Sequence, residues 1–159
     1  MKKIFTNGCF DLLHIGHIKL LEFAGKQGDH LIVGIDDDAS VEGLKGDNRP
    51  ITPVDERAQL VASLKWVDEV VVFSGAEELQ ACLDELDPDI VIKGSDWSKG
   101  EVIKNKRAGV ILFDHTGHSS TSIIEKIGEQ FASKAKTMAP IHRFTLYGEE
   151  ISEEEKPNE

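Results

Sequence analysis

Residues 3–17 read KIFTNGCFDLLHIGH, and the rest of the chain is read outward from this stretch. Its first part, KIFT in the 2–6 region, is short, apolar and β-branched, the pattern of a buried strand. Its last part sets two imidazoles three residues apart, with a glycine between them, at the head of the run HIKLLEFAGKQG (17–28). That run is amphipathic, with Ile18 and Leu21 facing inward, Leu20 and Ala24 beside them, and Gly25 and Gly28 marking its end. A strand that passes almost directly into a helix is the opening of a βαβ unit.

Outward from there the alternation continues. HLIVGI (30–35) reads as a second strand and DDDASVEGLKGDNRP (36–50) as a polar, glycine-bearing loop. ITPVDERAQLVASL (51–64) starts a second helix, with Thr52 as its N-cap and Pro53 as its first residue. VDEVVVF (67–73) is a third strand and AEELQACLDEL (76–86) a third helix. DPDIVIKG (87–94) is a loop and fourth strand, SDWSKGEVIKNKRA (95–108) a loop with a short helix, and GVILFD (109–114) a fifth strand. A last helix, capped by Ser120 or Thr121, follows in 115–135. Alternating strands and helices predict an α/β protein: a Rossmann-like, doubly wound, five-stranded parallel sheet with helices on both faces. Ligands of such sheets bind beyond the carboxyl ends of the strands. The HIGH stretch, the 36–49 loop, the KGSDW stretch and the HTGHSST loop all follow strands, so they are expected to gather at one edge.

With 159 residues and 40% hydrophobic content the chain has enough for one core. The expected division is a domain over 1–135 and a C-terminal extension over 136–159, whose end GEEISEEEKPNE is acidic and flexible. A formal net charge of −11 disfavours a nucleic-acid partner. No apolar run approaches the roughly 20 residues of a membrane span, so no membrane partner is expected, and the polar start MKKIFTNG does not read as a signal peptide. Two distant cysteines, Cys9 and Cys82, without a C-x-x-C pattern fit a reducing cytoplasm.

If the helix begins near His14 or Ile15, both histidines lie in its first turn. Exposed N–H groups and the helix dipole there favour an anion, and imidazoles can donate to phosphate oxygens. Gly16 lets a phosphate or a flat ring approach the backbone. Such a site suits nucleotidyl transfer, where the protein mainly positions groups and stabilises charge. Lys45 and Arg49, in the long loop, are placed to neutralise phosphates and close over them; each also reads as a solvated loop charge. Arg57 reads the same way, or as an ion pair with Asp55 or Glu56. Asp36 is a candidate contact for a ribose or an acceptor, or part of a solvated acidic turn. Asp11 reads as a helix cap. Trp97 stacks on a base or covers the core edge. Ser120, Thr121 and Ser122 suit β- and γ-phosphates at a helix start, cap that helix, or do both. A zinc site built from His14, His17, His115 and His118 is the rival from metal chemistry. It is disfavoured, because no acidic general base stands at metalloprotease spacing and Gly16 is what a nucleotide needs.

TNGCFDLLHIGHIKLLEFA (6–24) resembles the opening of the cytidylyltransferase-like nucleotidyltransferases, with their H-x-G-H motif, and the resemblance covers roughly residues 2 to 128. LKGDNRPITPVDERAQLVASLKWVDEVV (44–71), DPDIVIKGSDW (87–97) and HSSTSIIEKI (118–127) are similar to heptose 1-phosphate adenylyltransferases of ADP-heptose synthesis. Glycerol-3-phosphate cytidylyltransferases share FDLLHIGHIKLLE and the Asp96–Trp97 pair. They usually lack LKGDNRP and carry R-T-E-G-I-S-T-T where this chain has HTGHSSTS, with His115 at the arginine position and Gly117–His118 for Glu-Gly.

The resemblance implies that Thr6, Asn7, Gly8 and Phe10 cradle the nucleotide phosphates. It implies that His14 and His17 bind the triphosphate and stabilise the α-phosphate as pyrophosphate leaves, and that Lys93, Gly94 and Asp96 surround the base and ribose. Mg²⁺ is expected with the NTP, carried mostly by the triphosphate and waters. The implied reaction transfers a nucleoside monophosphate from ATP to a sugar phosphate, heptose 1-phosphate first, in a homodimer. The alternatives are CTP with glycerol 3-phosphate or a related polyol phosphate, and a nucleotide-binding module without turnover.

Overall fold

The structure, a computed structural model, describes residues 1–136 except 96, 115 and 116, and the side chains only as far as 132. It divides into two compact units, Met1–Ser122 and Ile123–Glu159. The elements in chain order are β1 (Lys3–Gly8), α1 (Ile15–Gly25), β2 (His30–Asp36), α2 (Asp38–Lys45), α3 (Val54–Ala62), β3 (Glu69–Phe73), α4 (Gly75–Leu86), β4 (Ile90–Gly94), β5 (Gly109–Phe113) and α5 (Ser120–Lys136). The described part of the second unit is the body of α5. The extension expected over 136–159 lies, from residue 137 on, outside the described residues, as do Asp96 and His115.

The strands form one parallel sheet in the order β3-β2-β1-β4-β5. The chain winds outward from β1 through β2 to β3, then returns to the other side of β1 for β4 and β5. The order therefore reverses between β1 and β4, the switch point at which doubly wound sheets bind ligands. Strand residues alternate between two cores, as a period of two requires. Ile4, Leu31 and Ile92 pack with Leu20, Leu21 and Ala24 of α1 and Val61 of α3. Phe5, Ile32 and Val91 pack on the opposite face with Leu79 and Leu83 of α4. Both faces are thus covered, as predicted.

Several local expectations are corrected. Residues 38–45 are a helix, not loop: the Asp37 side chain caps it by accepting from the Ser40 N–H at 2.8 Å, and Asp38 and Lys45 complement its dipole. Only Val41 of α2 is buried, so no hydrophobic period announces it. Pro53 is the N-cap of α3 and Val54 its first residue; Pro53 is extended at ψ 153° and no side chain caps the helix. Thr52 instead gives its backbone N–H to Asp11. No helix forms among the described residues of 95–108. Ser119 caps α5, its hydroxyl accepting from the Ser122 N–H at 3.0 Å. Ile18 is only half-buried, whereas Leu20, Leu21 and Ala24 are buried.

Candidate active site

The carboxyl ends of the strands surround a cavity of about 700 Å³, lined entirely from the first unit. The loops after β1, β2, β4 and β5 all reach it, as expected from their following strands.

The HIGH stretch forms one wall. His14 is the N-cap of α1, and its Nδ1 accepts from the Gly16 N–H at 3.1 Å. With Nδ1 accepting, the neutral ring carries its proton on Nε2. The His14 and His17 rings stack with centroids 3.8 Å apart, and Phe10 lies 5.0 Å from His17 on the other side. Phe10 reaches that place from a left-handed backbone at φ 48°, an unusual conformation for a non-glycine residue, which turns the chain out of β1. A side chain at Gly16 would meet the His14 ring at 3.0 Å and the His118 Cβ at 3.3 Å. Glycine is what allows α1, His14 and the approach to α5 to converge. The first turn of α1 carries no acidic residue, so its positive dipole end stands uncompensated.

At the switch point Lys93 of β4 donates from Nζ to the Asn7 carbonyl and to Asn7 Oδ1, both at 3.1 Å. The ammonium also lies 4.7 Å from the Trp97 ring centroid. Trp97 is 42% exposed at the cavity rim. Gly8 and Gly94 line the same place. Lys45, at the end of α2, and Arg49 add positive charge. Arg49 Nε donates to Asp11 Oδ2 at 2.6 Å. Asp11 does not cap α1: nearly fully buried, it also accepts from the Ile51 and Thr52 N–H groups and so fastens the 49–52 segment beside the HIGH turn.

Asp36, at the end of β2, faces the cavity. Burial pushes its carboxyl above the usual carboxylate range, opposed by the Lys93 charge and by a hydrogen bond from the Cys9 thiol. Burial, then the Asp36 charge, pushes the Cys9 thiol up. At the start of α5, Ser120 and Thr121 line the cavity, and the Ser120 hydroxyl donates to the Leu12 carbonyl at 3.0 Å.

Three predicted site residues are not on the cavity. Thr6 lies in the interior of β1, fully buried, with no hydrogen-bond partner for Oγ1 among the described residues. The Ser122 hydroxyl donates back to the Ser119 carbonyl at 2.8 Å. Arg57 is 0% exposed. Its guanidinium donates to the carbonyls of Thr52, Cys9 and Asp36, and to Asp38 Oδ1 at 2.6 Å. It is neither a substrate ligand nor paired with Asp55 or Glu56; it ties the ends of β1 and β2 to the starts of α2 and α3. Conversely, His118, Ser119 and an apolar group from β3 and α4 line the cavity without being expected in a nucleotide site. His118 had a signal, the second H-x-x-H pair; the apolar group had none, since its residues are separated in sequence and read as core.

A model of the family described as cytidylyltransferase-like matches residues 5–127. The chain belongs to the cytidylyltransferase-like family. This cytidylyltransferase-like chain is 50% identical over 129 residues to the bifunctional protein HldE of Helicobacter pylori strain G27, covering 79% of this chain and 27% of that protein. It is 47% identical over 126 residues to the bifunctional protein HldE of a Nitratiruptor species, covering 78% and 27%. The chain therefore spans about a quarter of the length of these curated relatives. Among solved structures, the lipopolysaccharide core biosynthesis protein from Thermoplasma volcanium matches with TM-score 0.55 and 26% identity, over 82% of this chain and 89% of that one. By family and by fold the chain is a nucleotidyltransferase domain. None of its described helices is long and apolar enough to cross a membrane.

Proposed function

We propose that the domain transfers the adenylyl group of ATP to heptose 1-phosphate, releasing pyrophosphate and forming ADP-heptose. The observation that carries the reading is the convergence of the helix starts of α1 and α5, the stacked His14–His17 pair and Lys45, Arg49 and Lys93 on the β1–β4 switch point. A chain of net charge −11 concentrates cationic and N–H donors there, which fits a polyphosphate. An oxygen of the acceptor phosphate attacks the α-phosphorus in line; the bond to the β-phosphate bridging oxygen breaks, and pyrophosphate takes that electron pair. No covalent enzyme intermediate is needed. His14 and His17 donate to oxygens on which charge builds, while Lys45 and Arg49 hold the acceptor's phosphate. Asn7, Gly8 and Phe10 shape the turn beneath them, and Lys93, Gly94, Ser120 and Thr121 border the nucleotide.

Mg²⁺ travels with the triphosphate in this reading. The donor set fits that: among the described residues no three His, Cys, Asp or Glu side chains cluster. Of the cavity carboxylates among the described residues, Asp11 is committed to Arg49 and two backbone N–H groups. The metal would supply charge neutralisation of the leaving pyrophosphate.

The choice of ATP and heptose rests on the LKGDNRP and HSSTSIIEKI segments and on the HldE relatives. CTP with glycerol 3-phosphate is the second reading, favoured by FDLLHIGHIKLLE. Pyrophosphate release with each NTP and acceptor in turn separates them.

A further inference from the structure

The cavity does not end at the phosphate-handling groups. On the α1 side its walls include Phe10, His14, His17 and Leu20; on the other side they are Phe73, Ala76, Leu79 and Ile103. Phe10 and Leu20 belong to the core on the α1 and α3 face, Phe73 and Leu79 to the core on the α4 face. The cavity therefore straddles the carboxyl edge of the sheet as two lobes that meet over the switch point. The first lobe holds the groups used above. The second is mainly apolar and has no part in that chemistry.

Its few polar fittings are specific. Asp36, paired in register with Phe73 at the strand ends, stands where the lobes meet. The Ser40 hydroxyl accepts from the Gly75 N–H at 3.0 Å, and the Asp37 N–H donates to the Phe73 carbonyl at 3.0 Å, so α2, β3 and α4 are locked around the hollow. The first turn of α4 carries Glu77 and Glu78. Two carboxylates there oppose an anion at that helix start. The lobe thus favours an uncharged skeleton with one C–H face for the apolar wall and a hydroxyl for Asp36, while the phosphate of the same molecule stays among Lys45, Arg49 and Lys93.

We propose that this α4-face lobe holds the carbon skeleton of the acceptor, and that Ala76, with Phe73 and Leu79 behind it, sets the skeleton size the enzyme accepts. The proposal rests on the nucleotidyl-transfer reading and adds to it which residues select the acceptor. A sugar ring presents more C–H surface to this wall than a three-carbon polyol does.

The test is calorimetric titration of heptose 1-phosphate, glucose 1-phosphate and glycerol 3-phosphate into protein saturated with a non-hydrolysable ATP analogue. Wild type, Ala76→Phe, Ala76→Leu and Ala76→Ser are compared. Ala76 is an exposed residue of the first turn of α4, so all three variants are expected to keep the wild-type Tm. Ala76→Phe should weaken ring phosphates by about tenfold or more, with a smaller loss in Ala76→Leu, near wild-type binding in Ala76→Ser and unchanged affinity for the ATP analogue. Wild-type acceptor binding in both enlarged variants overturns the proposal. So does a proportional loss of nucleotide affinity, or a wild type that binds none of the three phosphates. Failure of the ATP and heptose reading looks different: wild type releases no pyrophosphate from that pair, yet the phosphate it does bind is lost in Ala76→Phe.

Discussion

The His14 ring accepts the Gly16 N–H through Nδ1 and stacks on His17, so its loss acts on both stability and turnover. His14→Ala is expected to cost about 1 kcal/mol as a lost helix cap, read from the urea midpoint, and to lower kcat. His17→Ala has no capping role to lose. It should lower kcat by about 100- to 1000-fold, with a Tm close to wild type. Equal destabilisation of both variants would contradict the separate roles assigned to the rings. Asp36 gives a pH prediction. Its carboxyl is raised by burial, so the folded state holds a proton that the unfolded state has already released. Its contribution is most favourable below the ordinary carboxylate pKa and is lost as pH rises toward the folded value. Asp36→Asn should therefore gain Tm relative to wild type as pH is raised from about 4 toward neutrality. A Tm difference that is flat with pH would contradict a buried, titrating Asp36.

At the scale of elements, Arg57 is the joint among β1, β2, α2 and the segment before α3. Arg57→Met would leave the Cys9, Asp36 and Thr52 carbonyls without their donor and Asp38 without its ion pair. The expected loss is about 3 kcal/mol, measured by urea denaturation. A fully stable Arg57→Met with only a raised acceptor KM would return Arg57 to the substrate site. Asp37→Ala removes the side-chain cap of α2, and about 1 kcal/mol of stability. It should also raise the acceptor KM, because Lys45 rides on that helix. The helix α1 was legible because its burial is periodic, as in Leu20, Leu21 and Ala24, and the strands because they are continuous apolar runs, as at Val91 and Ile92. α2 was not, since one buried valine makes no period. The α5 cap shifted to Ser119 because neighbouring hydroxyl residues were equally able to cap, whereas at α3 the Thr52 N–H is taken by Asp11 and Pro53 stands as an N-cap with no side-chain bond.

For the whole molecule, the alternation of strand and helix was sufficient to derive a parallel sheet with its site at one edge, and the HIGH turn marked where on that edge. What sequence could not give is which polar residues turn inward. Arg57 and Arg49 read alike as loop-side cations, yet one is sealed under four acceptors and the other borders the cavity on Asp11. The second lobe was invisible for the converse reason: Phe73 and Leu79 look like core residues, and are, but core residues at the end of a strand and the start of a helix also make a wall. The measurement that tests the account most directly is pyrophosphate release with Mg²⁺, crossing ATP and CTP with heptose 1-phosphate and glycerol 3-phosphate, with His17→Ala as control. Release from ATP and heptose 1-phosphate alone, slowed about 100-fold or more in His17→Ala, is the predicted result; release from CTP and glycerol 3-phosphate instead, or nucleotide binding with no release from any pair, would contradict it.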